Sequence, residues 1–388
     1  MSLIKSSRRH FLKVGAIAGL GAFAFRSTAL TAEKTRELTL YVGTYTSGTS
    51  EGIYIYRMNL ETGELKRSNS IKAVNPSFLT IDKSRRYLYA VNEVTNFGGK
   101  SSGAVSAFAI HPTTGSLKFL NQQASMGADP CHVIVDRTRR FAFVANYTGG
   151  NVSVFPIQRD GRLSPATQVI QHHGSSVKEQ QKGPHAHCVI LDRSNRHAFA
   201  SDLGLDKIMI YRFDSRAGKL EPGKEPWVQV RSGAGPRHFT FHPNGRYAYV
   251  IDELDSTLTV FSYQELNGIL RSIQTVSTLP RDFSGHNDCA DVHVSPSGKF
   301  LYGSNRGHNS IVVFTINQIT GKLDYLEHAS TQGKTPRNFT IDPTGRFLLA
   351  ANQESDTIVT LRIEPHTGRL KPTGHVAEVP SPVCLKFN

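Results

Sequence analysis

Residues Gly235–Tyr263 read GPRHFTFHPNGRYAYVIDELDSTLTVFSY. Phe239 to Phe241 is a short apolar and aromatic run, and Pro243-Asn244-Gly245 is a turn signal. Tyr247 to Ile251 is a second β-rich run that ends on the acids Asp252 and Glu253. Asp255-Ser256 turns the chain again, and Thr257 to Tyr263 alternates as a third strand. The pattern predicts three short strands joined by tight turns.

Variants of this unit recur along the chain. The first strand, turn and second strand return as NPSFLTIDKSRRYLYAVNE from Asn75, DPCHVIVDRTRRFAFVANY from Asp129 and HAHCVILDRSNRHAFASDL from His185. They return again as DCADVHVSPSGKFLYGSNR from Asp288 and TPRNFTIDPTGRFLLAANQ from Thr335. A Gly-x-Leu marker follows each third strand, beginning at Gly63, Gly115, Gly161, Gly218, Gly268, Gly321 and Gly368. A repeat of roughly 50 residues calls for a propeller or solenoid reading. Seven markers predict an all-β, seven-bladed β-propeller. Only six complete first-strand units lie between the ends, so Pro382 to Phe387 is expected to be the seventh first strand. Leu38 to Tyr45 is expected to be its second strand, which closes the ring with a composite blade and removes open sheet edges.

The 388 residues fit one domain of this kind, with many glycines and a single Trp. The net charge of +14 raises the question of a nucleic-acid partner. Arg86, Arg140, Arg196, Arg246, Lys299 and Arg346 each start a second strand, however, and such regular spacing describes a solvated ring of turn ends. No nucleic-acid partner is expected. Cys131, Cys188, Cys289 and Cys384 fall in or beside first strands without a Cys-x-x-Cys pair, and read as small apolar filler.

Ser7-Arg8-Arg9-His10-Phe11-Leu12-Lys13 resembles a twin-arginine export signal. The apolar run from Val14 to Phe25 has twelve residues, too few to span a bilayer, and small residues between Ser27 and Ala32 offer a cleavage site. The expectation is a signal peptide over 1–32 and a propeller domain over 33–388, periplasmic or secreted, without a stable membrane anchor. The export machinery is then a partner.

Topology locates a site. The hairpin turns lie on one face of the ring, so first-strand starts and second-strand ends converge on the opposite mouth of the central channel. First-strand starts supply Ser77, Cys131, His132, His187, Arg237, His238, Asp291, Arg337 and Asn338. Second-strand ends supply Tyr45, Glu93, Tyr147, Asp202, Glu253, Arg306 and Gln353. Such polarity predicts a binding mouth. Arg237, Arg306 and Arg337 can hold a carboxylate or phosphate, and Glu253 and His187 can move protons. A buried Glu near a His is expected to have a pKa useful at neutral pH. No Gly-x-Ser-x-Gly elbow is present. His185 and His187, with His172 and His173 nearby, raise a metal site, but no acid neighbours them at ligand spacing; neither metal nor cofactor is expected. The departures Gln171–Gly183 and Pro280–Asp288 each precede a first strand and should share one face, as binding or disordered loops.

Tyr41-Val42-Gly43-Thr44-Tyr45, Asn75-Pro76-Ser77, Pro184-His185-Ala186-His187, Gly235-Pro236-Arg237-His238 and Ser304-Asn305-Arg306-Gly307 resemble the seven-bladed lactonase family. That family includes propeller-type 6-phosphogluconolactonases and carboxy-cis,cis-muconate cyclases. The resemblance covers Leu38 to Phe387 and implies lactone chemistry without an obligatory metal. It carries catalytic roles onto His187, Arg237, Glu253 and Arg306. Glu93, His132, Asp202, His238, Asp291, Arg337, Asn338 and Gln353 are then expected to bind substrate. A small-molecule lactone is the expected partner. The alternatives are a lactone-forming cyclase and a non-catalytic sugar- or protein-binding propeller.

Overall fold

The stretch quoted above folds as the inner three strands of one blade: Pro236–Phe241, Tyr247–Asp252 and Thr257–Gln264, with Ile269–Ser277 outermost. The computed structural model describes residues 37–388. Within them are seven four-stranded antiparallel sheets, each repeating this order from the channel outward. The export-signal expectation lies outside the described residues. Two three-residue 3-10 turns, Glu179–Gln181 and Gln353–Ser355, are the only helical segments among those described.

The innermost strand of the seventh sheet is Pro382–Phe387, and it pairs antiparallel with Glu37–Thr44 in the register Val42 opposite Leu385. Gly52–Asn59 and Leu65–Lys72 complete that blade. The two ends of the described chain are therefore stitched into one sheet.

The Gly-x-Leu marker has a physical role between blades. Its glycine sits at positive φ (+86° at Gly161, +73° at Gly321), where an added Cβ would lie 2.2 Å from the Tyr87 ring and 2.3 Å from the Tyr247 ring. The carbonyl of the same glycine accepts a hydroxyl from the preceding blade. Tyr41 donates to Gly115, Tyr89 to Gly161, Tyr249 to Gly321 and Tyr302 to Gly368, at 2.7–3.0 Å. These tyrosines are buried, so each needs that acceptor, and each bond ties one blade to the next.

A second ring of polar residues ends the second strands. Asn92, Asn146, Asn305 and Asn352 each donate from the side-chain amide to a backbone carbonyl at the end of the preceding blade, at 2.6–3.0 Å. Asp252 takes this place in the fourth blade. Its Oδ2 accepts from Thr257 and Thr259, while the buried Oδ1 has no partner. Burial, and then Asp255, push its pKa well above the usual value. The neutral form suits the site, so its stabilising contribution is complete below about pH 4 and is lost as pH rises through the raised pKa. Asp252→Asn is expected to raise the melting temperature at pH 7, by about 1 kcal/mol of stability, with the gain shrinking toward pH 4. Equal melting temperatures of the two proteins at pH 7 would count against a raised pKa at Asp252.

Candidate active site

The first strands share an irregularity that builds the mouth. Pro130 pairs with Asn146 and His132 with Ala145, so Cys131 is an extra residue. The same slip makes His187, Arg237 and Arg337 bulged residues in their blades. A bulge breaks the in–out alternation and re-aims a side chain. Two successive residues, such as Arg237 and His238, thereby both serve the channel.

The bulged residues and the residues just past the second strands form an upper tier. Glu253 lies between two guanidinium groups: its Oε2 is 2.7 Å from Arg237 Nε and 3.0 Å from an Arg306 terminal nitrogen. The Arg237 contact is an ion pair whose Nε–H is not aligned for a hydrogen bond. Arg237 also donates to the Ala290 carbonyl, and Arg306 to the Cys289 carbonyl. Across the mouth Arg337 donates to the Tyr45 hydroxyl, which donates to Glu93 Oε1, both at 2.9 Å. Ser77 donates to the other Glu93 oxygen. Tyr147 stacks on His185 with centroids 4.4 Å apart and meets His187 edge-on at 5.6 Å.

Charge states follow from this packing. Burial raises the pKa of Glu253, but Arg306, Arg237 and Arg337 outweigh it and hold the carboxyl below its usual value. The expected near-neutral Glu253 is therefore corrected: the arginines sit too close, and it is an anion at pH 7. Burial and Arg237 hold His187 well below the usual imidazole value, so it is neutral, and its Nδ1 has no protein partner. Burial, then Arg337, bring Arg237 down to about 10, still a cation. Burial, then Glu253, push Tyr147 up to about 12, so its hydroxyl keeps its proton.

His132, His238, Asp291 and Asn338 form a lower, closed tier. His238 Nδ1 donates to Asp291 Oδ1 at 2.7 Å, and His293 Nε2 lies 3.0 Å from Oδ2. Asn338 donates to Asp291 and accepts the Leu385 N–H, linking three inner strands. His132 packs against Phe78 at 4.2 Å and His238 at 5.7 Å. Burial, then Arg237, bring His238 down to about 4, so it is neutral at pH 7. These groups spend their polar atoms largely on one another and so form the wall beneath the mouth.

Asp202 is displaced from its expected position by one residue. It is the last residue of its strand, equivalent to Asn92 rather than Glu93, and fully buried. Its oxygens accept the His185 backbone N–H at 2.8 Å and the His172 ring at 2.6 Å. Leu203 holds the mouth position in that blade. Gln353 does lie just past its strand and is half-buried. The 171–183 loop is ordered by another acid, Asp206, which accepts from Gln181, Ser176, Gly233 and Gly235. Tyr45, Ser77 and Tyr147 stand in the upper tier although no role was carried onto them; their register positions were the available signal.

Seven blades around a mouth of buried arginines, carboxylates and a neutral imidazole define a propeller with an enzyme-like site. The family described as "Lactonase, 7-bladed beta-propeller" matches residues 39–387, and the chain belongs to it. It is 40% identical to the 6-phosphogluconolactonase of Bacillus subtilis over 89% of this chain and 97% of that protein. It is 36% identical to the 6-phosphogluconolactonase of Formosa agariphila over 78% of this chain and 86% of that one. The solved periplasmic gluconolactonase of Pseudomonas aeruginosa superimposes with a TM-score of 0.86 at 36% identity, covering 90% of this chain and 99% of that one.

Proposed function

We propose that this protein hydrolyses a sugar lactone at the upper tier of the channel mouth. The observation that carries this reading is Glu253 held as an anion between Arg237 and Arg306, with neutral His187 on the same mouth against Tyr147. A water oxygen attacks the lactone carbonyl while Glu253 takes its proton, and the carbonyl oxygen becomes an oxyanion beside the two guanidinium groups. The ring C–O bond then breaks and the proton held by Glu253 passes to the departing ring oxygen, leaving a hydroxyl and a carboxylic acid, which releases its remaining proton to solvent to become the carboxylate. Arg337 supplies a third cation for the acidic product. The names borne by the relatives support a gluconolactone skeleton, phosphorylated or not. Turnover on a panel of gluconolactone, 6-phosphogluconolactone and muconate lactones tests the reading; exclusive turnover of muconates would transfer it to the cyclase class.

No metal-holding group of three His, Cys, Asp or Glu occurs among the described residues. Turnover is expected to survive exhaustive chelation. A chelated preparation that regains activity only with one particular divalent ion would refute this.

The periplasmic relative and the SRRHFLK segment together support export through the twin-arginine route. Replacing Arg8 and Arg9 with Lys is expected to retain the full-length chain in the cytoplasm. Undiminished periplasmic recovery of that variant would rule the route out.

A further inference from the structure

The face opposite the mouth is not uniform around the ring. Its turns follow one template in six blades: Asp82-Lys83-Ser84-Arg85-Arg86, Asp136-Arg137-Thr138-Arg139-Arg140, Asp192-Arg193-Ser194-Asn195-Arg196, His242-Pro243-Asn244-Gly245-Arg246, Ser295-Pro296-Ser297-Gly298-Lys299 and Asp342-Pro343-Thr344-Gly345-Arg346. The last cation recurs in all six and is partly structural. Arg86, Arg140, Arg246 and Arg346 each lie over the next residue's ring. The other positions divide the ring in two. Where the fourth to sixth blades have proline, the first three have Lys83, Arg137 and Arg193. Where the fourth to sixth have glycine, the first two have Arg85 and Arg139.

That second difference runs against the backbone. The glycines stand at φ of 71°, 72° and 72°, and Arg85 and Arg139 adopt the same left-handed conformation at 59° and 62°. A β-carbon is disfavoured there, and residues kept in such conformations cluster at functional sites. The eight cations of the three basic turns are exposed, and none forms an ion pair with a carboxylate among the described residues. The turn acids cannot neutralise them, because Asp82 and Asp136 are buried and accept backbone N–H groups of their own turns. The turns are also adjacent. Asn195 accepts the Arg137 N–H at 3.0 Å, and Arg137 depresses the Lys83 pKa after burial. Between the first two turns a cleft of about 430 Å³ is lined by Arg86, Arg139, Arg140 and Arg159.

We propose that this basic arc docks the protein on an anionic phospholipid surface, with the mouth facing away into solution. The cations lie at one end of the ring, spread over three neighbouring turns, as contact with a planar surface requires. Each basic residue near such a surface adds to the attraction. A single-stranded nucleic acid would want aromatic platforms between the cations. The exposed large apolar residues, such as Phe119, Trp227 and Tyr325, all lie outside these turns, and the rings beside the arc, Tyr87 and Phe141, are already covered by Arg86 and Arg140. The inference is independent of which lactone is hydrolysed.

Co-sedimentation of the purified protein with vesicles tests it. Vesicles with about 30% phosphatidylglycerol should bind the protein at roughly 0.1 M salt and release it at about 0.5 M, while pure phosphatidylcholine vesicles should not bind it. The combined variant Lys83→Gln, Arg85→Gly, Arg137→Gln, Arg139→Gly, Arg193→Gln should lose at least about tenfold in affinity and keep its lactone turnover. Arg246→Gln, Lys299→Gln, Arg346→Gln together should lose far less. Equal binding to both vesicle types, or no loss in the five-site variant, would overturn the proposal. So would efficient displacement by a short DNA duplex, which would assign the arc to nucleic acid. The vesicle comparison on the unaltered protein decides the matter even if a variant folds poorly.

Discussion

Glu253→Gln is expected to lower kcat by about a hundredfold or more, the usual scale for loss of a general base. The amide keeps the shape of the carboxylate but cannot take a proton from water. It also leaves Arg237, Arg306 and Arg337 without the anion that they surround, so substrate affinity should change less than the rate and could rise for an acidic lactone. Because Glu253 and His187 both have lowered pKa values, the unaltered enzyme should lose no rate as pH falls from about 7 to about 5. Steady-state kinetics of the variant and a pH–rate profile of the parent check both statements. Arg246→Ala, at the turn face, serves as a control and should leave the kinetics alone. A well-folded Glu253→Gln protein with near-parental kcat would place the base elsewhere, with His187 next to be tested.

Deleting Pro382–Phe387 is expected to abolish stable folding. Val383, Cys384 and Leu385 are at most 3% exposed and sit in or beside the cores flanking the seam. At about 1.5–3 kcal/mol per buried side chain, their loss is comparable to the ~5–15 kcal/mol by which a typical protein is stable. The cut would also strip Glu37–Thr44 of its inner partner and expose an unpaired edge beside the channel. Soluble yield, circular dichroism and protease resistance are the measurements. A truncated chain that stays soluble and melts cooperatively at the parental temperature would show that closure contributes little.

The fold could be read because its evidence is local and repeated. Turn signals, β-branched runs and Gly-x-Leu markers recur at one spacing, and each has a physical cause in one blade or one joint. Seven markers against six complete units was enough to pair Pro382–Phe387 with the start of the propeller. The site was legible to the level of register. Arg237, Glu253, Arg306, His187, Arg337 and Glu93 do meet at the mouth. What sequence could not carry was relation across blades. The bulges that divide Arg237 from His238 into separate tiers leave no compositional mark. Asp202 stands one position short of the mouth because Asp-Leu there is in register with Asn-Glu at Asn92-Glu93, and composition alone favours the acid over Leu203. The low pKa of Glu253 depends on Arg306, from the next blade, as much as on Arg237 in its own.

The Arg337–Tyr45–Glu93 chain gives the seam another meaning. Arg337 belongs to the sixth blade, Glu93 to the first, and Tyr45 follows the strand held in place by Pro382–Phe387. During synthesis the residues on either side of this relay emerge early and late, and the strand that seats Tyr45 against its neighbours emerges after all three. This part of the mouth can thus be assembled only once Pro382–Phe387 is in place. A chain cut short before residue 382 would lack this seat, so under the proposed mechanism it is expected to be inert as well as misfolded.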